Sequence, residues 1–228
     1  MNIHAVCAQA SPHRLIVADS LFQAKRYVES FEHYQNILGQ NQYTPAMLLK
    51  MAYIQEGLNH IGQAMYYLNL YFIASNDKSA LGKMEQMATK FNLQGYEATD
   101  ADQFLSFYHD YFFQITLFLI ALSILIMGMI FYTKVKLNRK PIASGIFLLV
   151  MLIVFFVHTN YGGRITEAIV SQQNTYVMKG PSAGAPVVEI IDEGHRVEIL
   201  GKNDVWLKIL WNDEIVYVKD GVLLPVRL

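Results

Sequence analysis

The strongest constraint on the fold is a pair of apolar runs near the middle of the chain, at 112–132 and 142–157. The first, FFQITLFLIALSILIMGMIFY, contains no Asp, Glu, Lys, Arg or His, and as a helix it would extend about 30 Å, the thickness of the hydrocarbon core of a bilayer. The second reaches residue 161 if its polar end forms an interfacial last turn, and Pro141 suits the first position of a helix. Because core helices of soluble proteins rarely run so long without a charge, we predict transmembrane helices at 112–132 and 142–161.

The distribution of basic residues predicts the orientation of these helices. The loop between them, residues 133–141, contains no acidic residue and four basic ones: Lys134, Lys136, Arg139 and Lys140. The approach to the first helix contains no Lys or Arg and four acidic residues: Glu97, Asp100, Asp102 and Asp110. By the positive-inside rule the loop lies in the cytoplasm, so both flanks lie on the outer face, which in a double-membrane bacterium is the periplasm. The sequence therefore predicts a two-pass protein of the bacterial inner membrane.

The N-terminus has one feature of an export signal. Ala8-Gln9-Ala10 before Ser11 has the small-x-small form of a signal-peptidase site, but the preceding MNIHAVC is too short for a charged region and an apolar region. Either the start lies within a longer signal peptide, of which residues 1–10 are the remnant, or the match is chance. The single cysteine, Cys7, excludes an internal disulfide framework and a multi-cysteine zinc site.

The first flank, residues 11–97, has apolar residues at helical spacing. It predicts helices at about 14–25, 28–39, 45–56, 61–74 and 78–91. A shift of 34 residues, the tetratricopeptide period, superimposes similar residues, including Leu15 on Leu49, Ala18 on Ala52 and Ser30 on Ala64. The small residues stand where two helices of a repeat must approach closely. The run 25–30 is similar to the family's turn into its second helix, although Lys25 and Asn59 replace the turn glycine and the family's Trp is absent.

This resemblance to tetratricopeptide repeats implies two repeats and a capping helix, with a concave groove that binds a peptide or a partner helix. In the family the first helix of each repeat lines the groove, which makes the candidate partner-binding residues Asp19, Gln23, Lys50, Tyr53 and Ile54. The alternative is that the short array is only a spacer or packs against the other flank. We interpret the aromatic run 65–72 as core between helices rather than as a ligand-binding aromatic box.

Linkers are expected at 98–111 and 162–172, and the second is followed by short runs rich in β-branched residues. These runs predict strands at 175–178, 186–191, 196–200, 205–210 and 214–219. Five short strands predict a small, highly bent barrel at 173–228. The order of motifs resembles the bacterial SH3-like domain: GPS at 180–182, V-E-I-L-G at 197–201 and W-x-K-I at 206–209. The Gly-Trp that commonly begins the family's last strand is replaced by Val216-Tyr217.

Aromatic residues of SH3-like domains either line a peptide groove or fill the core. The resemblance therefore implies Trp206 as the first candidate for a ligand contact, with Tyr176, Trp211 and Tyr217 behind it. For Trp206 the alternative is that it closes the core of the barrel. Trp211 is not at the family position, so solvent, a partner or the bilayer are its expected environments.

The residues give no support for catalysis. No HExxH, GxSxG, P-loop or Rossmann glycine pattern occurs, and the histidines are scattered, so that His33, His60, His109 and His158 are expected to be solvated or interfacial. The formal net charge of −1 does not favour nucleic-acid binding. A channel is disfavoured because neither apolar run contains an acidic, basic or histidine residue. We predict no enzymatic activity, no cofactor and no metal site.

The predicted fold class is a multi-domain membrane protein: all-α tetratricopeptide-like repeats, a two-helix transmembrane hairpin and an all-β SH3-like barrel. This order resembles BatE-type proteins of the Bacteroidetes aerotolerance (Bat) operons. The resemblance implies an inner-membrane scaffold that works with von Willebrand A-domain membrane proteins and a MoxR-type ATPase in envelope stress tolerance. The alternative is a cell-wall-associated factor whose SH3-like domain binds peptidoglycan. We favour the adaptor because the Gly-Trp strand is altered and no wall enzyme is attached.

Overall fold

The computed structural model of the chain describes residues 12–97, 108, 111–136, 142–161 and 166–228. The chain divides into two compact units. The first is built from both flanks of the apolar hairpin, Met1–Glu97 and Ile165–Leu228, and the second is Ala98–Arg164. The two flanks, expected as separate domains, therefore belong to one unit.

Five helices form the first part of this unit: α1 Pro12–Gln23, α2 Tyr27–Leu38, α3 Pro45–Gly57, α4 Ile61–Ser75 and α5 Ser79–Phe91. Each starts and ends within two residues of its predicted bounds. The side chain of Thr44 caps α3 by accepting a hydrogen bond from the Met47 N–H at 3.2 Å. Lys25 and Asn59, which replace the expected turn glycine, have left-handed backbone conformations with φ of 61° and 62°. The helix pairs turn where the 34-residue repeat predicts.

The small residues at the repeat positions lie where helices touch. Ala18, Ser30, Ala52 and Ala64 are all buried, and the Ser30 hydroxyl donates to the Ala18 carbonyl at 2.9 Å. Such short side chains let two helix backbones approach closely. The run 65–72 contributes mainly to the helical core, with Met65, Tyr67, Leu68 and Leu70 buried, as predicted.

The second unit contains α6 Phe112–Val135 and α7 Ile142–Tyr161. Both are long and apolar enough to cross a membrane, with mean hydropathy 2.5, and only 11% of the residues in the most apolar window of each are buried. Exposed apolar side chains suit a lipid environment better than a soluble core. Of the basic loop residues, Lys134 and Lys136 are exposed at the end of α6, while Arg139 and Lys140 lie outside the described residues.

The C-terminal part is a seven-stranded antiparallel sheet. Its strands are β1 Thr166–Val170, β2 Thr175–Met178, β3 Val187–Ile191, β4 Arg196–Asn203, β5 Trp206–Trp211, β6 Glu214–Lys219 and β7 Leu223–Pro225. The spatial order is β3-β2-β6-β5-β4-β1-β7, so β3 and β7 are edges and the sheet is not closed. The predicted barrel is wrong in this respect. The five predicted strands are present, and β1 and β7 are additional.

The expected linker at 162–172 is also corrected, because it contains β1. Successive side chains of a strand point to opposite faces. Ala168 and Val170 are completely buried in the core of the sheet, whereas Ile169 between them is completely buried in the core of the helices. Since β1 is buried on both sides, it has no polar alternation that would mark it as a strand.

Candidate interaction surfaces

The helices and the sheet are joined first at the start of α4. The Gly62 N–H donates to the Glu193 carboxylate at 3.0 Å, which places a negative charge at the positive end of a helix. A Cβ on Gly62 would lie 2.6 Å from the Val170 carbonyl oxygen. Only a glycine allows α4 to approach β1 this closely.

A second junction involves the chain after α5. The Gln94 N–H donates to His195 Nδ1 at 3.0 Å, and the Arg196 N–H donates to the Gln94 carbonyl at 3.1 Å. Tyr96 is buried, donates its hydroxyl to the Gly194 carbonyl at 2.8 Å and packs against the Arg196 guanidinium. Burial raises the pKa of Tyr96, so its hydroxyl keeps the proton that it donates. Backbone and side chains together fix the helices to the turn between β3 and β4.

These junctions cover only part of one side of the sheet. Ile169 is paired with Arg196, so both side chains point to the side on which the helices pack. The same side continues from β4 onto β5, where Glu198 is paired with Leu210. Beyond that point the described helices no longer cover it.

The uncovered part, which we call the exposed sheet face, lies on β5, β6, β2 and β3. Cross-strand pairs place Leu210 beside Ile215, Trp206 beside Lys219, and Ile190 beside Tyr176. A continuous row across four strands is formed by Val187, Met178, Tyr217 and Lys208, in which the Met178 side chain is buried at 5% exposed. Tyr176 is 56% exposed and Ile190 is 51% exposed, while Trp206 and Tyr217 are half-buried. The face is apolar and aromatic, with two lysines.

Three of the predicted ligand residues, Tyr176, Trp206 and Tyr217, lie on this face. Trp206 therefore does not fill the sheet core. The prediction that Trp211 faces solvent, a partner or the bilayer is wrong. Trp211 points to the opposite side, is 4% exposed and belongs to the core of the sheet. Its indole N–H donates to the Glu189 carboxylate at 2.7 Å, and its ring meets the His195 ring edge to face. Trp211 is a core residue and not a surface for partners.

The other predicted surface lies on the first helices of the two repeats, and we call it the α1–α3 face (Asp19, Gln23, Leu49, Lys50 and Tyr53). Asp19 is its centre, because one carboxylate oxygen accepts from the Tyr34 hydroxyl at 2.6 Å and from the Lys50 ammonium at 2.7 Å. Tyr53 is 57% exposed and Gln23 is exposed one turn after Asp19. Ile54 is corrected: it is 2% exposed and packs in the helical core.

An aromatic cluster, missed in the sequence, supports this face. Phe22, Tyr27 and Tyr53 pack edge to face, with ring centroids 5.5–6.1 Å apart, and the Lys50 ammonium lies 5.6 Å from the centre of the Phe22 ring. Loss of solvation, followed by the neighbouring Tyr53, raises the pKa of Tyr27. Phe22 and Tyr27 flank the turn between α1 and α2, a position at which an aromatic pair could have been recognised.

A polar cluster lies between the described helices of the hairpin unit. His158 near the end of α7 is buried rather than solvated. Its Nδ1 is 2.5 Å from the Tyr108 hydroxyl, its Nε2 is 2.9 Å from the Thr116 hydroxyl, and Phe112 stacks on the ring at 4.3 Å. Both ring nitrogens are satisfied within the unit, which accounts for a histidine in an apolar helix. His109 and Asp110 lie outside the described residues.

Within the described ranges, no group of three or more His, Cys, Asp and Glu side chains could hold a metal ion. Searches against protein-family models, curated proteins and solved structures find no match to this chain. The two surfaces and the position of the hairpin between the two flanks are the features of this chain that bear on its function.

Proposed function

We propose that this protein is a membrane-anchored scaffold, in which a two-helix hairpin holds a joint domain of helices and sheet at the membrane and the α1–α3 face binds protein partners. The observation that carries the proposal is that the flanks on either side of the hairpin share one compact unit. Parts of a chain that pack together must lie on one side of the membrane. Two spans satisfy this condition because an even number of crossings returns the chain to its starting side.

The α1–α3 face has the chemistry of a protein-binding surface. Its exposed apolar members, Leu49 and Tyr53, lie beside charges that are already paired: Lys50 with Asp19, and Lys83 of α5 with Glu56 at 2.8 Å. Charges that are already paired lose less hydration free energy on contact with a partner than unpaired charges do. An apolar centre with a polar rim is typical of protein interfaces. The aromatic cluster holds Tyr53 in place before binding, which reduces the entropy that binding costs.

We extend the proposal to the compartment and the partners. The basic loop supports a cytoplasmic hairpin turn and a periplasmic joint domain at the bacterial inner membrane. The resemblance in architecture to BatE-type proteins supports partners of the Bat type, namely von Willebrand A-domain membrane proteins with a MoxR-type ATPase, in envelope stress tolerance.

The partner experiment uses point variants, because deletion of the helices would also remove the contacts that hold β1. The full chain is tagged, solubilised in detergent, and the co-purifying proteins are identified by mass spectrometry. Leu49→Asp on the α1–α3 face is compared with Ile73→Asp on α4, since both side chains are 44% exposed. We expect Leu49→Asp to lose a defined set of proteins that Ile73→Asp retains. Equal recovery from both variants would reject this face as the partner site.

Orientation is tested separately by thiol labelling in intact spheroplasts, in a Cys7→Ser background. A membrane-impermeant reagent is expected to label Ser182→Cys, which is exposed before β3, and not Asn138→Cys in the loop. Labelling of Asn138→Cys alone would place the joint domain in the cytoplasm.

The observation that supports the alternative function, peptidoglycan binding, is the presence of aromatic residues on the exposed sheet face. Pelleting of the detergent-solubilised full chain with purified peptidoglycan tests it, with Trp206→Ala as the variant and Tyr53→Ala as the control. Sedimentation that only Trp206→Ala abolishes would make the protein a cell-wall-associated factor.

A further inference from the structure

We propose that the exposed sheet face lies on the bilayer and binds the headgroup region of anionic lipids. The inference depends on the proposed membrane anchor and goes beyond it, because it assigns the second surface of the joint domain to lipid and leaves the α1–α3 face for proteins.

The exposed sheet face has the side-chain chemistry of a membrane–water interface. Tyr176, Trp206 and Tyr217 point to the same side as Ile190 and Ile215, which are both about half exposed. Trp and Tyr beside aliphatic side chains are enriched where proteins meet the membrane–water interface, since their rings have an apolar body and a polar edge. A water-exposed surface of four strands would show polar residues at these outward positions.

The charged side chains of the exposed sheet face are mainly basic. Lys219 is paired with Trp206, and Lys208 is paired with Tyr217. A lysine lying beside a ring can extend its ammonium group toward lipid phosphates while its stem stays on apolar surface. The acid paired with this face is Glu198, and burial and the neighbouring Glu167 raise the pKa of its carboxyl. The charge thus complements an anionic surface.

The covalent chain between α7 and β1 keeps the sheet near the membrane. Four residues separate the end of α7 at Tyr161 from the start of β1 at Thr166. Fully extended, this connection covers about 18 Å. A domain tethered so closely meets the membrane surface at a high effective concentration, so weak lipid contacts are sufficient to hold it there.

The packing of the described helices and strands accounts for the exposure of this face. Its inner side is filled by its own core, and the helices cover the outer side over β1 and the start of β4. The exposed sheet face continues directly from that interface. A bilayer would complete the covering of the side that the helices begin.

Tryptophan fluorescence gives a direct test, because the chain has only two tryptophans. Trp211→Phe retains Trp206 on the face, and Trp206→Phe retains Trp211 in the core. Each full-length variant is placed in nanodiscs of anionic lipid, with and without bromine at the shallow 6,7 positions of the acyl chain. An interfacial face enters the headgroup and acyl boundary by about 5–10 Å, so Trp206 emission should fall by about a factor of two, with a much smaller change for Trp211.

The charge is tested in the same assay. Replacing both Lys208 and Lys219 by Gln should lower the ratio of docked to undocked domain by about five-fold for each lysine, as judged from the loss of bromine quenching. Lys78→Gln, just before α5, with Lys90→Gln in α5 is the matched control and should leave quenching unchanged. Equal effects of the two pairs would overturn the assignment of these lysines to lipid.

A second label reports on the same face without replacing a tryptophan, so the test still works if a tryptophan variant does not fold. A fluorophore on Ile190→Cys, in a Cys7→Ser chain with both tryptophans, should shift to the blue in nanodiscs, whereas one on Ile73→Cys should not. Trp206 emission that is equal in brominated and ordinary nanodiscs, with an unshifted Ile190→Cys label, would overturn the proposal. If soluble muropeptides then protect Trp206 from iodide, the occupant is peptidoglycan. A chain that does not enter nanodiscs at all would instead reject the membrane anchor itself.

Discussion

The outer side of the C-terminal sheet has two halves that differ in what covers them. Over β1 and the start of β4 the helices cover it, with Ile169 completely buried and Arg196 bonded to the chain after α5. Over β5, β6, β2 and β3 it is uncovered, and Ile190 and Tyr176 are more than half exposed. Both halves have apolar residues at outward positions, although the covered half also carries Glu167, Arg196 and Glu198. The difference teaches that an apolar outward position identifies a contact but not the partner: one half meets its own chain, and the other half is available to something outside it.

The largest contrast should come from one isoleucine in each half. Ile169→Ala leaves a cavity in the helical core, so we expect the free energy of unfolding to fall by about 2–5 kcal/mol. Ile190→Ala lies on the surface and should change it by less than about 0.5 kcal/mol. The measurement is urea-induced unfolding of the full chain in detergent micelles, followed by tryptophan fluorescence. Similar losses from both variants would mean that the two halves are equally covered.

The covered half also depends on the absence of one side chain. Gly62→Ala would place a methyl group against the Val170 carbonyl, so α4 must move from β1, at a cost of about 1–3 kcal/mol. Gly82→Ala in α5 is the matched control, because a Cβ there meets nothing within 4 Å. It should stabilise the chain by about 1 kcal/mol through helix propensity. If both variants were stabilising in urea unfolding, the close approach of α4 to β1 would be disproved.

The helices could be predicted from apolar residues at helical spacing, from the 34-residue repeat and from the two long apolar runs. Among the strands, β5 has the clearest pattern, because it alternates between buried Leu207, Ile209 and Trp211 and the outward residues between them. β1 could not be predicted in this way. It is buried on both sides, and the helices that bury Ile169 belong to a distant part of the sequence. The local pattern of β1 therefore cannot show that Ile169 is covered.

For the candidate site residues, too, the sequence pattern does not show which side of an element is covered. Asp19, Lys50 and Tyr53 were found through the repeat, and the structure adds their link through Phe22 and Tyr34. The family pattern could not tell that Ile54 faces inward, since one helical position decides between groove and core. The prediction that Trp211 lies at the surface is wrong. The alternation of β5 places Trp211 on the same side as Leu207 and Ile209, but the prediction relied on the family position of Trp206 instead.

A smaller effect is expected from one hydroxyl at the junction. Tyr96→Phe keeps the buried ring and removes the hydrogen bond to the Gly194 carbonyl, which should cost about 1 kcal/mol. Tyr176→Phe on the exposed sheet face is the control and should be nearly neutral. Hydrogen exchange of the full chain should show faster exchange of the Arg196 amide in Tyr96→Phe alone. Unchanged exchange would show that the bond does not hold the junction closed.

The smallest effect should be a dependence on pH at His195. In the folded protein Nδ1 accepts the Gln94 N–H and burial lowers the pKa of His195 below its ordinary 6.5, against the opposing influence of Asp192 and Glu189. The unfolded chain therefore binds the proton more readily between these two pKa values, and stability falls as the pH drops below about 6.5, by at most about 1.4 kcal/mol per pH unit. His195→Asn, whose amide oxygen can accept the same N–H, should unfold with a weaker dependence between pH 7.5 and 5.5. His33→Asn on the exposed side of α2 should keep the wild-type dependence. If His195→Asn also kept it, the acid sensitivity would arise outside the covered half of the sheet, and the helices would be held to the sheet by groups that do not titrate in this range.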